Sequence, residues 1–198
     1  MSIQSEFQIE KILSLCIINS VLTMMRKLAM EELHRLTKDE YQTVEKLPVV
    51  IVLDNVRSLS NVGAVFRSAD AFRIGALFLC GITACPPHRE IHKTALGADE
   101  TVPWRYFTST VEACHELKAM GYRIYAVEQV EGSVMLQDFK AEPNTAFILG
   151  NEVDGVGEDV LPFCDGALEI PQQGTKHSLN VSVCSGIIMW DVFKQLFL

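Results

Sequence analysis

Three segments gather small and polar residues just past apolar runs: Asn55 to Asp70, Gly150 to Gly157, and Pro171 to Asn180. In an open α/β sheet, ligands bind where strands end and loops begin, so these are the places to look for chemistry. The middle segment, Gly150-Asn-Glu-Val-Asp-Gly155-Val-Gly157, imitates a phosphate-cradling loop, but its Glu152 and Asp154 would repel phosphate. It suits a ligand that is cationic or neutral near the backbone. No G-x-G-x-x-G follows an apolar run and no G-x-x-x-x-G-K-[ST] occurs, which argues against a Rossmann-type oxidoreductase and a P-loop enzyme. Ser178 has no G-x-S-x-G elbow, so a serine hydrolase is not expected. Cys80, Cys85, His88 and His92 have a spacing loosely like that of a zinc site. Cys80 closes a buried apolar run, however, and Pro86-Pro87 stiffens the connection, so no metal is expected.

The elements that must position these segments follow from hydrophobic periodicity. Short β-branched runs predict strands at Val49–Leu53, Ala76–Cys80, Val102–Tyr106, Arg123–Val127, Thr145–Leu149 and Ala167–Ile170. Between them, helical spacing predicts Asn61–Phe72, Glu90–Leu96, Val111–Met120, a short Gly157–Phe163 and a final Ser178–Phe197. The connections are too long for hairpins, so the expected fold is α/β: a mostly parallel sheet with helices on both faces. Before it, residues 1–46 read as a short helical N-terminal extension, with one apolar helix over Ile12–Met25 and a more polar one over Arg26–Leu36. The expected domain runs over 47–198. The uncharged stretch Ile12–Met25 has 14 residues where a bilayer span needs about 20, and Glu6 and Glu10 precede it, so neither a membrane span nor a signal peptide is expected. Met24 or Met25 could equally be the natural start.

Composition narrows the class. With 17 Lys+Arg against 25 Asp+Glu the 198-residue chain carries a net charge of −8, which argues against coating nucleic acid non-specifically but leaves room for a local RNA site. The imbalance lies in the second half, which places any polyanion contact mainly before Tyr106. Six cysteines without a C-x-x-C pattern read as reduced thiols in a cytoplasm.

The segment LDNVRSLSNVGAVFRSADAF (53–72), with its Asn-x-Gly-Ala-x-x-Arg-x-Ala-Asp core, resembles the first motif of the SpoU, or TrmH-type, RNA ribose 2′-O-methyltransferases. FILGNEVDGVGEDVL (147–161) is similar to their second motif and IPQQGTKHSLNVSVCSGI (170–187) to their third, while KTALGADETVPW (93–104) resembles a segment between the first two. The resemblance implies a SPOUT-type domain with a C-terminal trefoil knot, an exception to the rule that chains do not knot. It implies S-adenosylmethionine as cofactor, tRNA or rRNA as substrate, and a homodimer with composite sites. The apolar face Ile187, Ile188, Trp190, Phe193 and Leu196 of the last helix could supply the interface.

Carried over by position, Leu149, Gly150, Ile170, Pro171, Gln172 and Leu179 would hold the cofactor, and Asn61, Arg67, Glu152, Ser178 and Asn180 would be the catalytic polar residues. Gly150 would lack a side chain because a backbone approaches closely there. Each polar residue also has a plainer explanation: Asn61 as a helix cap, Arg67 paired with Asp70 at i,i+3, and Asn180 capping the last helix. The motifs depart from many relatives at Leu59-Ser60 and Gln172-Gln173, which bears on specificity. A non-catalytic RNA- or cofactor-binding subunit of the same fold is the alternative.

Overall fold

The computed structural model describes residues 26–198. The chain falls into two compact units that divide between Thr37 and Lys38. In the first, the described residues hold one 3-10 turn, Met30–Leu33, in place of the helix expected over 26–36, and none of its side chains is buried. Without an apolar face to bury, so short a segment gains too little to propagate a helix. The expected helix over 12–25 lies outside the described residues.

The second unit carries a seven-stranded sheet. Its strands are β1 (Leu47–Asp54), β2 (Ile74–Cys80), β3 (Trp104–Phe107), β4 (Arg123–Val127), β5 (Val134–Met135), β6 (Thr145–Leu149) and β7 (Gly166–Glu169), in the order β3-β2-β1-β6-β4-β7-β5. Every pairing is parallel, so the expected "mostly parallel" sheet is wholly so. Five helices accompany it: α1 (Lys38–Thr43), α2 (Leu59–Ala71), α3 (Arg89–Ala95), α4 (Thr110–Ala119) and α5 (Val181–Phe197).

The side-chain period of two sorts β1 into two cores. Val49, Ile51 and Leu53 join α2, α3 and α5 on one face, through Val65, Phe66, Ile91, Ile188 and Met189. Val50 and Val52 join α4 on the other, through Ala113, Cys114 and Leu117. A strand interior buried on both sides must be apolar, which is why Val49–Leu53 of β1 and Ala146–Leu149 of β6 read as unbroken runs.

Four strand ends line up at one edge: Leu53 of β1 is level with Leu149 of β6, which is level with Val127 of β4, which is level with Leu168 of β7. In chain order β4 is laid beyond β1 with a gap and β5 beyond β4 with another; β6 then fills the first gap and β7 the second.

Three expectations are corrected. The helix over 157–163 is only a 3-10 turn, Leu161–Phe163, with Pro162 inside it. The last helix begins at Val181 rather than 178, because Asn180 caps it. Strand β5 was not expected; its two exposed residues carry no alternation to read. Among the described residues no helix is long and apolar enough to cross a membrane.

Candidate active site

The aligned strand ends open onto a cavity of about 480 Å³. Its floor is Val127, Leu149 and Leu168, and its walls are the loops after β4, β6 and β7 together with the start of α5. Of the residues expected to hold a cofactor, Leu149, Gly150, Ile170, Gln172 and Leu179 line it. Pro171, exposed, lies outside the lining. Of the expected catalytic residues, Glu152, Ser178 and Asn180 line it, and Asn61 joins them through hydrogen bonds.

Asn61 is the hinge of that network. Its Nδ2 donates to Glu152 Oε1 at 3.0 Å, and its Oδ1 accepts from Asn180 Nδ2 at 3.2 Å. The opposite amide orientation would set carbonyl oxygen against carboxylate, so the bonds fix it. Glu152 also accepts the backbone N–H of Arg57 at 3.0 Å and of Ser58 at 3.1 Å. Asn180 turns its own Oδ1 to the N–H of Ser182 at 2.9 Å, capping α5. One chain of polar contacts thus ties the loop after β1, the loop after β6 and the N-terminus of α5. Partial burial pushes the Glu152 carboxyl up, but the N–H donors of Arg57, Asn61 and Ser58 outweigh it and hold the pKa below the usual range.

The plainer roles fare unevenly. Asn61 does not cap α2; Ser58 does, accepting the Asn61 N–H at 3.3 Å. Asn180 both caps α5 and lines the cavity, where it donates to Asn61. Arg67 forms no ion pair or hydrogen bond among the described residues, and Asp70 accepts from Thr101 Oγ1 at 2.9 Å instead. Arg67 is exposed on α2, roughly 9 Å along the axis and about 120° around it from Asn61, and does not line the cavity.

Gly150 is small for a reason internal to the loop. A Cβ there would stand 2.0 Å from the Gly155 carbonyl carbon and 2.2 Å from the Val156 nitrogen. The loop doubles back over Gly150, closed by paired backbone bonds between Asn151 and Gly155. The close backbone approach that the residue type suggested is made by the chain itself.

Two carboxylates went unnoticed in the sequence. Glu128, at the end of β4, lines the cavity and accepts the Val156 N–H at 3.0 Å and the Gln129 N–H at 2.9 Å. Asp54, buried at the end of β1, accepts from Thr110 Oγ1, Asn55 Nδ2 and the Gly157 N–H, anchoring the other end of the loop. The available signal was an acid directly after an apolar run. Glu128, Glu152, Asp154 and Glu169 all line the cavity, with no Lys or Arg among the lining residues.

The Cys80–His92 cluster does not form a ligand set. Cys80 is fully buried, and burial pushes its thiol up to about 12. Among the described residues no group of three or more His, Cys, Asp or Glu could hold a metal ion.

The model of the SpoU rRNA Methylase family matches residues 48–190. The chain is 30% identical over 158 residues to the 23S rRNA (guanosine-2'-O-)-methyltransferase RlmB of Neisseria meningitidis serogroup B, covering 80% of this chain and 63% of that one. It spans about three-fifths of the length of the curated relatives it matches. The crystal structure of the A. aeolicus TrmH/SpoU tRNA modifying enzyme superposes with a TM-score of 0.70 at 25% identity, covering 80% of this chain and 79% of that one. An AdoMet-bound rRNA methyltransferase from Sinorhizobium meliloti shares the fold with a TM-score of 0.71 at 24% identity, covering 83% and 62% of the two chains. A family match over most of the compact unit, with its motifs meeting at one cavity, leaves one assignment: the chain belongs to the SpoU rRNA Methylase family.

Proposed function

We propose that the chain transfers a methyl group from S-adenosylmethionine to a ribose 2′-hydroxyl of tRNA or rRNA. The observation that carries this reading is the hydrogen-bonded chain Glu152–Asn61–Asn180 at the rim of an acidic cavity of nucleoside size. The donor set fits the cofactor: carboxylates without basic side chains favour a cation, and the tight loop over Gly150 presents backbone where an adenosine could lie. S-adenosylmethionine, when bound, supplies a methyl on a cationic sulfur that a hydroxyl oxygen can attack in line.

The residues of this chain then divide the work. Both Glu152 oxygens are occupied by donors and its pKa is lowered, so it is a weak proton acceptor and serves to hold Asn61 and the Arg57-Ser58 backbone in place. Asn61 and Asn180 are fixed by each other, and a fixed polar pair orients a hydroxyl nucleophile at little further entropic cost. Arg67 cannot be the base, since guanidinium stays protonated. It is assigned to the phosphate beside the target ribose and to charge developing on the oxygen.

Arg67 lies outside its own chain's cavity, which supports the composite site expected of a homodimer. The outer stripe of α5, with Val183 50% and Trp190 48% exposed, and the neighbouring cluster Phe72, Trp190 and Phe193 supply an apolar surface for that contact. Ile188, expected on this face, is buried in the core instead. The reading includes residues 47–198 as the methyltransferase domain, a trefoil knot formed by the late insertion of β6 and the return of α5, and a cytoplasmic location. Radiolabelled methyl transfer to bulk RNA followed by nucleoside mapping tests it. A 2′-O-methylnucleoside supports the enzyme; cofactor binding without transfer supports the non-catalytic subunit.

A further inference from the structure

A second cavity, of about 510 Å³, lies on the first half of the chain, away from the loops of the candidate site. Pro86, Pro87 and the half-buried Trp104 form its apolar walls, and His88, Arg89 and His92 its basic edge. Its two acids are already engaged. Asp99, buried, is held by His92 Nδ1 at 3.0 and 3.1 Å, and Glu100 pairs with Lys38. Arg89 is exposed and has no hydrogen bond or ion pair among the described residues. His88 Nδ1 accepts the Glu90 N–H at 3.2 Å, which puts its proton on Nε2 as a donor for a ligand. An aromatic wall beside an unpaired guanidinium is the pairing that takes a base on one side and a phosphate on the other.

The cavity shares its support with the candidate site. Helix α3, which bears Arg89 and His92, packs so closely on α2 that a Cβ on Gly63 would stand 2.0 Å from Thr94 Oγ1 and 2.4 Å from the Ile91 carbonyl oxygen. Thr101 ties the following turn to Asp70 of the same helix. Helix α2 in turn carries Asn61 and Arg67.

We propose that this slot binds one unpaired nucleotide of the RNA substrate away from the methylated residue, its base against Trp104 and the Pro86-Pro87 wall and its phosphate on Arg89 and His88. The identity of the polymer rests on the methyltransferase reading; the slot's affinity for a single strand does not.

Trp104 and Trp190 are the only tryptophans, so Trp190→Phe leaves Trp104 as the sole indole reporter. Single-stranded hexauridylate is expected to quench Trp104 emission saturably, and uridine 5′-monophosphate, which brings the one base and one phosphate the slot takes, should quench as well, with unphosphorylated uridine at least about tenfold weaker. Arg89→Ala in this background should weaken hexauridylate binding and lower the slope of log affinity against log salt by about 0.7, the share of one phosphate on a single strand. The same Arg89→Ala comparison by filter binding, with both tryptophans intact, keeps the test independent of the reporter substitution. Absence of saturable quenching, an unchanged affinity and salt slope in Arg89→Ala, or binding of uridine as tight as that of the monophosphate would overturn the proposal. Titration with S-adenosylmethionine on the same samples separates the two claims: no cofactor heat with quenching intact removes the methyltransferase reading and leaves the slot standing.

Discussion

Asn61 and Asn180, 119 residues apart in the chain, share a hydrogen bond of 3.2 Å, and through it the first and third motifs meet. Glu152 holds the other end of Asn61, so replacing the carboxylate should disturb all three motifs at once. Glu152→Gln would set an amide N–H against the backbone donors of Arg57 or Ser58. Methyl transfer is expected to fall by about 10²-fold, the scale for losing preorganised polar contacts. A Glu152→Gln enzyme with the wild-type single-turnover rate would show that the network is incidental.

The same carboxylate makes a pH-dependent contribution to stability. Its folded pKa lies below the ordinary 4.5, so the contribution is present above the usual carboxylate range and lost as pH falls through the folded value. The melting-temperature gap between wild type and Glu152→Gln should therefore be constant near neutrality and close in acid. A gap that widens below that range contradicts the assignment.

Arg67 has no partner to lose among the described residues. Arg67→Ala should change stability by less than about 0.5 kcal/mol, as for a surface site. If it meets phosphate and developing charge, methyl transfer should drop by about 10²-fold or more with cofactor affinity unchanged. Lysine should restore only part, because it keeps the charge and loses the planar fork. Melting temperature, calorimetry and single-turnover rate on one sample decide it, and an active Arg67→Ala enzyme removes Arg67 from the mechanism.

Gly150→Ala tests the folded-back loop. The added methyl meets backbone at 2.0 Å, which cannot rotate away, so the Asn151–Gly155 closure must shift. A destabilisation of about 1–3 kcal/mol is expected, the range for overpacking, together with weakened cofactor binding. Unchanged binding of S-adenosylmethionine would show that the loop's shape is not needed for the ligand.

Trp190 on the outer stripe of α5 tests the proposed dimer. Trp190→Asp, at a position already 48% exposed, should leave the fold intact and shift sedimentation toward a monomer. A variant with the same mass as the wild type would remove this stripe as an interface, and a monomeric wild type would remove the dimer.

Much of the sheet was legible in two ways: Thr145–Leu149 is buried at every position and so reads as an apolar run, while Arg123–Val127 alternates buried Ile124 and Ala126 with more exposed neighbours. Val134–Met135 was invisible because it is short and exposed. At the site, the motif residues Asn61, Glu152 and Asn180 do converge, yet Glu128 and Asp54 escaped notice. Their work is to receive backbone N–H groups from a loop, a tertiary relation that leaves little local pattern. The packing of Gly63 on α3 is likewise a fact about a partner helix that no single stretch of residues states.

Strand β6 sits between two strands made before it, and that order constrains synthesis on the ribosome. Until residues 145–149 emerge, Val49–Leu53 of β1 have a bare edge, with apolar side chains and the ladder donors and acceptors on that side unpaired. The nascent chain must keep this slot open while β2, β3 and β4 are already available to collapse around it. Pairings so distant in sequence form slowly, and a half-made sheet of this kind is prone to associate with its own copies. The open edge is closed only when β6 arrives, so the interval of exposure runs from the emergence of β1 to that of residues 145–149.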